Sequence, residues 1–465
     1  MASIITPLGS DPLCHEKKDI PLITIEALPS PPITPPELEL AQALPKHSTP
    51  YFDQIEETVT KDEPKPTVAV IGTGYVGLHL VEAFSTAYDV IAFDISQKRV
   101  EEIQPTVADN VTCTSDPNQL SNATHFLISV STILNPHQRS IDVSCIEKAI
   151  ETVAKQARPG STIVIESSVS VGMTRELLSP LMKTKAFLCG MSPERVDPGR
   201  TYPRYDVIPK VISGIDTASL SSIQELYQPV FQNLVPVSKP EVAEMTKLYE
   251  NCQRMMCIAY ANEMADACQT LSATLSESKT NESGTVIDID PWEVARAAAT
   301  KPFGYMPCTP SLGVGGHCIP VNPFYLLSNS EFPLLEACTK RMAERPARIG
   351  DRVMAHLASK SKGRQRILIV GLGFKRGQSV LSHSPGKALA VHLLSNFNVH
   401  VEFADPLVEQ SAVPFIPRLD VEFWHAEELK KFDAILVSID QPGLDYSLLH
   451  DLKAQGTYVE WYCQR

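Results

Sequence analysis

The sequence predicts an α/β fold in which two doubly wound parallel sheets flank a helical middle segment. Three observations lead there: apolar strands alternate with helical stretches from residue 66 to about 235, the alternation restarts at residue 364, and one unbroken helical pattern begins at Pro240 between them. A chain of 465 residues also exceeds a single core and suits about three domains of roughly 150 residues.

Residues 1–65 are dense in proline and poor in aromatics ("IEALPSPPITPPELELAQALPKHSTP"). Such a stretch buries too little apolar surface to offset its ordering and reads as a disordered tail, either an unselective solvated extension or a PxxP-type ligand. Residues 66–235 open with "TVAVIGTGYVGLHLVEAFSTAYDVIAFDIS", which is strand, glycine turn, helix and strand, and continue with strands at "THFLISVS" and "STIVIESS". Residues 236–360 contain "PEVAEMTKLYENCQRMMCIAYANEMADACQTL", where Val242, Met245, Leu248, Tyr249, Cys252, Met256 and Ala259 keep helical spacing. A helix of about 30 residues spans about 45 Å and suits a backbone that links two domains and meets a second subunit. The insert "SATLSESKTNESGTVID" (272–288) reads as a solvated loop, and a further helix is expected over 334–360. Residues 361–465 restart at "RQRILIVGLGFKRG" and add strands at "NVHVEFADP", "DAILVSID" and "GTYVEW". Two sheets facing each other across a helix leave a cleft, a place ligands favour.

Composition narrows the function classes. A net charge of −13 and a pI near 5.4, with no block of five or more Lys/Arg, argue against non-specific nucleic-acid binding. An anionic small substrate is still allowed, since a few local donors suffice. The eleven cysteines are scattered, odd in number and without a CxxC pair, which suits a reducing compartment rather than a disulfide framework or a zinc site. No metal is expected. Without a run of about 18 apolar residues or a secretory leader, the expected setting is the cytoplasm, off the membrane.

Gly72, Gly74 and Gly77 follow the apolar strand "VAVI" and open a helix, the context a dinucleotide fingerprint requires. The first glycine permits the tight turn, the second lets backbone approach a pyrophosphate, and the third allows close helix packing. Asp94 closes the next strand, where a carboxylate accepts from an adenine ribose and repels a 2′-phosphate, so NAD is expected rather than NADP. In the second α/β segment, Gly371-Leu372-Gly373 lacks the sixth-position glycine, and its spacing fits a looser nucleotide turn or a purely structural one equally.

The stretch "TKPFGYMPCTPSLGVGGHCIPVNPFYLL" (300–327) puts Cys318 beside His317 and behind Gly313, Gly315 and Gly316. Buried cysteine is often only a small hydrophobe. Here the glycines leave room for a substrate, and a nucleophilic thiol in an NAD-binding chain points to oxidation beyond the alcohol stage. Lys247 and Asn251 lie four apart, hence on one helix face, either a solvated stripe or a pair of donors for a developing oxyanion. "SPERVDPGR" places Glu194, Arg195 and Asp197 in a loop after the strand "KAFLCG", as a surface turn or as a general base and its orienting partner.

The segments "GVGGHCIPVNPFYL", "EVAEMTKLYENCQRMMCIAYANEMA", "SPERVDPGR", "IPKVISG" and "IDPWEVARAAATKPFGYMP" resemble the UDP-glucose/GDP-mannose dehydrogenase family, and the wording "GGHCIP" is most similar to its UDP-N-acetylhexosamine branch. The resemblance covers about residues 66–465. It implies a Rossmann-like NAD-binding domain (66–235), a central long-helix dimerisation domain with the cysteine loop (236–360) and a Rossmann-like UDP-binding domain (361–465). It also implies a homodimer or higher homo-oligomer. The implied activity is four-electron oxidation of the C6 alcohol of a UDP-sugar to the uronic acid with two NAD, through a thiohemiacetal and then a thioester on sulfur. By motif position, Cys318 is the nucleophile, Lys247 and Asn251 steady the C6 oxygen, and Glu194 serves the hydrolytic water. Gly72, Gly74, Tyr75, Val76, Gly77, Asp94, Arg99, Thr132 and Ser168 are assigned to the cofactor. Arg195, Gly315 and Lys375 join Glu194, Lys247 and Asn251 around the sugar nucleotide.

Departures from that pattern bear on rate. Asn322 stands four residues after the cysteine in place of an aspartate and cannot take a proton. Ser382 stands where a ligand-contacting arginine is expected, Ser168 and Ser170 replace threonine and proline, Ser131 replaces a proline, and Ser311-Leu312 replace glycine-proline. Losing one charge-assisted contact costs about 1.5–3 kcal/mol. These changes motivate an alternative: a catalytically impaired paralogue that binds NAD or a nucleotide sugar and acts by association.

Overall fold

The computed structural model describes residues 65–135, 140–195, 203–277, 286–359 and 363–463. The proline-rich stretch and Asp197 therefore lie outside the described residues. In the first α/β part the strands are β1 (Thr67–Ile71), β2 (Asp89–Phe93), β3 (Val111–Thr114), β4 (His125–Ile128), β5 (Ile133–Asn135), β6 (Ser140–Asp142), β7 (Thr162–Ile165), β8 (Leu188–Met191), β9 (Lys210–Gly214) and β10 (Leu234–Pro236). β5 and β6 form a separate antiparallel hairpin; the other eight make one sheet in the order β10-β9-β8-β7-β4-β1-β2-β3. Val68, Ala69 and Val70 are fully buried, as a central parallel strand covered by helices on both faces requires. β1 sits between β2 and β4, so the crevice at the carboxyl ends of these strands is a topological switch point.

One pairing differs from the parallel sheet the sequence predicts: β9 runs antiparallel to β8, with Gly190 opposite Gly214 and Met191 opposite Ser213. The described part of the connection holds only a short 3-10 turn, Tyr205–Val207. A parallel return would need a crossover, usually a helix. The reversal brings the start of β9 to the edge where β7 and β8 end.

The second sheet is built from β11 (Arg366–Val370), β12 (His400–Ala404), β13 (Ala434–Val437) and β14 (Val459–Trp461), all parallel, in the order β12-β11-β13-β14.

Between the sheets runs the helix Pro240–Glu277, 38 residues and about 57 Å long, six residues beyond the sequence expectation. Its last turns look polar but hold: Thr270 Oγ1, Ser272 Oγ and Thr274 Oγ1 each donate to the carbonyl four residues back at 2.8–3.0 Å, so these side chains are satisfied within the helix rather than competing with it. The solvated loop expected from residue 272 therefore starts after Glu277. Cys252, Met255 and Ala259 pack on Leu335 and Met342 of the helix Pro333–Ala358. That helix turns Ile349, Val353 and Leu357 into the core of the second sheet.

Candidate functional site

At the first glycine turn Gly72 has φ +89°, a left-handed conformation that favours glycine. A Cβ on Gly77 would stand 1.9 Å from the Gly72 carbonyl oxygen, whereas one on Gly74 would meet nothing within 4 Å. The two outer positions thus close the turn on itself, and the middle one leaves open space in front of the helix Tyr75–Phe84. The first-turn amides of that helix, from Tyr75 and Val76 onward, have no intrahelical acceptor and favour an anion there.

Asp94 Oδ2 accepts from the Thr73 N–H at 2.9 Å and from Thr73 Oγ1 at 3.0 Å, and Arg99 Nε donates to the Thr73 carbonyl at 2.8 Å. Thr132 and Ser168 follow the ends of β4 and β7, on the same sheet edge. These residues fit a dinucleotide: space for a pyrophosphate at Gly74, a helix N-terminus behind it, and a carboxylate at the end of β2.

The cysteine loop is held from two sides. The Cys318 carbonyl accepts from the N–H of Val321 at 3.1 Å and of Asn322 at 2.8 Å, which tie the half-buried cysteine to the helix Asn322–Leu327. From the long helix, Asn251 Nδ2 donates to the buried Asn322 Oδ1, and Lys247, 7% exposed, donates from Nζ to the Glu194 carbonyl. Lys247 and Asn251 are therefore turned inward rather than part of a solvated stripe. Partial burial, and then the Lys247 ammonium, hold His317 below the usual imidazole range. On the cofactor side, Ile141 in the hairpin after Thr132 packs on Leu248, Val321 and Tyr325.

The loop glycines have a different reason from the one the sequence suggests. A Cβ on Gly315 would stand 2.9 Å from Phe374 Cβ, and one on Gly316 2.9 Å from the Phe374 ring. The space behind them is filled by protein, and they let the loop dock on the second glycine turn. Gly316 N–H donates to the Ser382 carbonyl at 2.8 Å, so the backbone at the position that departs from arginine secures the loop. The half-buried Lys375 follows Phe374 directly and is brought to the same region.

The second glycine turn is structural at its centre. Asp405, buried after β12, accepts from the Leu372 N–H at 2.7 Å and the Gly373 N–H at 3.0 Å, which occupies donors a phosphate would need. Arg195 is engaged as well: its guanidinium pairs with Glu250 and donates to the Pro209 carbonyl at 2.8 Å.

A cluster behind Glu194 carries no signal in the sequence motifs. Glu166, fully buried after β7, accepts from Lys210 Nζ at 2.6 Å and from the Tyr227 hydroxyl. Lys210 Nζ lies 3.8 Å from Glu194 Oε2, which accepts from the Tyr205 hydroxyl at 3.0 Å. Burial pushes the Glu166 carboxyl up to about 7 against the pull of Lys210, and the Glu194 charge adds to the rise. The available signal was a single charged residue at the end of each of two apolar runs, "TIVIE" and "PKVIS". Among the described residues, no group of three or more His, Cys, Asp and Glu side chains could hold a metal ion, and no helix is long and apolar enough to cross a membrane.

A nucleotide-binding α/β sheet whose carboxyl edge faces a cysteine loop across a long helix defines an NAD-dependent oxidoreductase. The chain matches the NAD-binding domain of the UDP-glucose/GDP-mannose dehydrogenase family over residues 104–231 and the central domain over 241–340. It is 30% identical over 376 residues to a UDP-N-acetyl-D-glucosamine 6-dehydrogenase of Pseudomonas aeruginosa, covering 73% of this chain and 83% of the relative. It is 29% identical to Protein CapL of Staphylococcus aureus, over 82% and 90% of the two chains. The solved UDP-D-ManNAc dehydrogenase of Pyrococcus horikoshii superimposes with a TM-score of 0.71 at 24% identity, covering 85% of this chain and 93% of that one. The chain belongs to the UDP-glucose/GDP-mannose dehydrogenase family.

Proposed function

We propose that the chain oxidises the C6 alcohol of a UDP-sugar, a UDP-N-acetylhexosamine or UDP-glucose, to the uronic acid. One alcohol, one water and two NAD become one carboxylate, two NADH and three protons. The observation that carries this reading is the chain of contacts joining Cys318 to Asn322, Asn322 to Asn251, and Lys247 on the same helix face to Glu194.

Bound NAD supplies a hydride acceptor at the sheet edge. Lys247 and Asn251 stabilise the alkoxide as the hydroxyl on C6 gives up its proton to solvent, which favours loss of hydride from C6. The Cys318 sulfur then adds to the aldehyde carbon, and the thiohemiacetal oxygen takes the alkoxide's place beside the same donors. Loss of the second hydride leaves a thioester. Glu194 takes a proton from the attacking water, and the C–S bond breaks to return the thiol. Tyr75, Val76, Asp94, Arg99, Thr132 and Ser168 would hold the cofactor, and Lys375 the nucleotide. Exposed Met245, Tyr249, Tyr260, Met264 and Leu271 form an apolar stripe along the long helix, which supports a homodimer built on it.

The test is a nucleotide-sugar panel read by NADH absorbance. Two NADH per sugar consumed are expected with at least one UDP-sugar, and no NADH from any of them removes the reading. The paralogue that binds without turnover is the second reading, favoured by Asn322, which is 2% exposed beside Asn251 and unable to carry a proton. Asn322→Asp is expected to raise turnover by about tenfold. Stabilisation of the wild type by NAD or UDP-sugar in thermal unfolding, with no NADH from either form, favours the binder.

A further inference from the structure

The geometry points to Lys210 as a positioning residue for Glu194: Glu166 anchors its ammonium at the sheet edge, and the ammonium holds the Glu194 carboxylate toward the cysteine loop. This rests on the reading of Glu194 as the group that serves the hydrolytic water.

Topology places the residue. Because β9 is reversed, the pairing of Gly190 with Gly214 and of Met191 with Ser213, carried three residues on, sets Lys210 opposite Glu194. In a parallel sheet the start of this strand would lie at the other edge, far from the ends of β7 and β8. The ammonium stands between two carboxylates, 2.6 Å from Glu166 and 3.8 Å from Glu194, and 3.5 Å from the Pro193 carbonyl. Lys210 is 3% exposed and Glu166 fully buried. A buried ion pair is weak support for stability, because the desolvation of both charges offsets their attraction, so packing alone does not account for it.

The groups facing Glu194 come from every neighbouring element. Glu166 follows β7, Lys210 opens β9, Tyr205 lies in the 3-10 turn, Tyr227 ends the helix Thr217–Tyr227 and reaches Glu166, and Lys247 comes from the long helix to the Glu194 carbonyl. Burial and the adjacent carboxylates raise both tyrosines well above the usual range, so they remain hydrogen-bond donors at neutral pH. In this largely buried space, removing the ammonium that faces Glu194 changes the field at its carboxylate in a known sense.

The experiment is the pH profile of uronate formation by the full-length chain, with Lys210→Met, Lys210→Arg, Glu166→Gln and Glu194→Gln compared. Removing the cation is expected to move the acid limb upward in Lys210→Met by about one unit or more and to slow acid formation about tenfold. A covalent acyl-enzyme should then build up on Cys318, seen by intact mass. Glu166→Gln, which removes the anchor of the ammonium, is expected to slow acid formation with the same acyl-enzyme on Cys318, and Lys210→Arg should keep the wild-type limb. An upward limb in Lys210→Met that Lys210→Arg restores is what a packing role would not produce. If Glu194→Gln is slow but Lys210→Met keeps the wild-type acid limb, the positioning role is overturned and the reading of Glu194 stands. If Glu194→Gln forms acid at the full rate, that reading falls and this one with it. Should Lys210→Met fail to fold, Glu166→Gln decides: acyl-enzyme building up on Cys318 supports the role, and acid formation at the wild-type rate overturns it.

Discussion

Cys318→Ser is expected to lower uronate formation about a thousandfold or more while NAD binding and thermal stability stay near wild type. The hydroxyl of serine is a far weaker nucleophile than a thiolate. His317 is held toward its neutral form by partial burial and by Lys247, yet it is the adjacent residue in the chain and is attached to the same loop. Without a covalent adduct the aldehyde is free to leave, so a slow first NADH without acid is the expected trace. The fold should tolerate the change, because the loop is tied down through the Cys318 carbonyl, which serine retains. Product analysis by mass, with an unfolding curve in the presence of NAD, checks both halves. Full acid production by the variant would show that sulfur takes no covalent part.

What the sequence made legible depends on how far apart the partners are. Gly72, Gly74, Gly77 and Asp94 lie within 23 residues, and the structure closes this loop through Thr73 and Asp94, so one local motif carries the proposed cofactor site. The second glycine turn is closed in the same way by Asp405, so an aspartate at the end of the next strand does not by itself separate a nucleotide turn from a structural one. The glycines before Cys318 answer to Phe374, a contact made across the chain, and glycine spacing alone does not distinguish room for a ligand from room for a neighbouring loop. Glu166 and Lys210 are 44 residues apart in sequence and meet because β9 is reversed, which depends on the route of the chain from β8 rather than on any residue pattern. Polar composition misplaced the end of the long helix, because serine and threonine can bond back to the helix they seem to end.

For Lys247→Met the expected result is a loss of about a hundredfold to a thousandfold in turnover with no loss of stability. Methionine keeps the apolar stem of lysine, so the packing beside Leu248 is retained, while the charge that Lys247 brings into the cysteine region is removed. A donor aimed at a developing oxyanion in a closed site acts mainly on the transition state, so kcat should fall with little change in KM. The stability effect has the opposite sign from that of a structural ion pair. In the folded chain Lys247 is 7% exposed and its hydrogen bond is to a backbone carbonyl rather than a carboxylate, so folding desolvates a cation with modest return, and its removal should leave Tm unchanged or higher. Steady-state kinetics on the active UDP-sugar and a melting curve test the pair of outcomes. A stable enzyme at full rate would remove Lys247 from the chemistry, and a fall in Tm with kcat preserved would make the residue a support for the Glu194 loop instead.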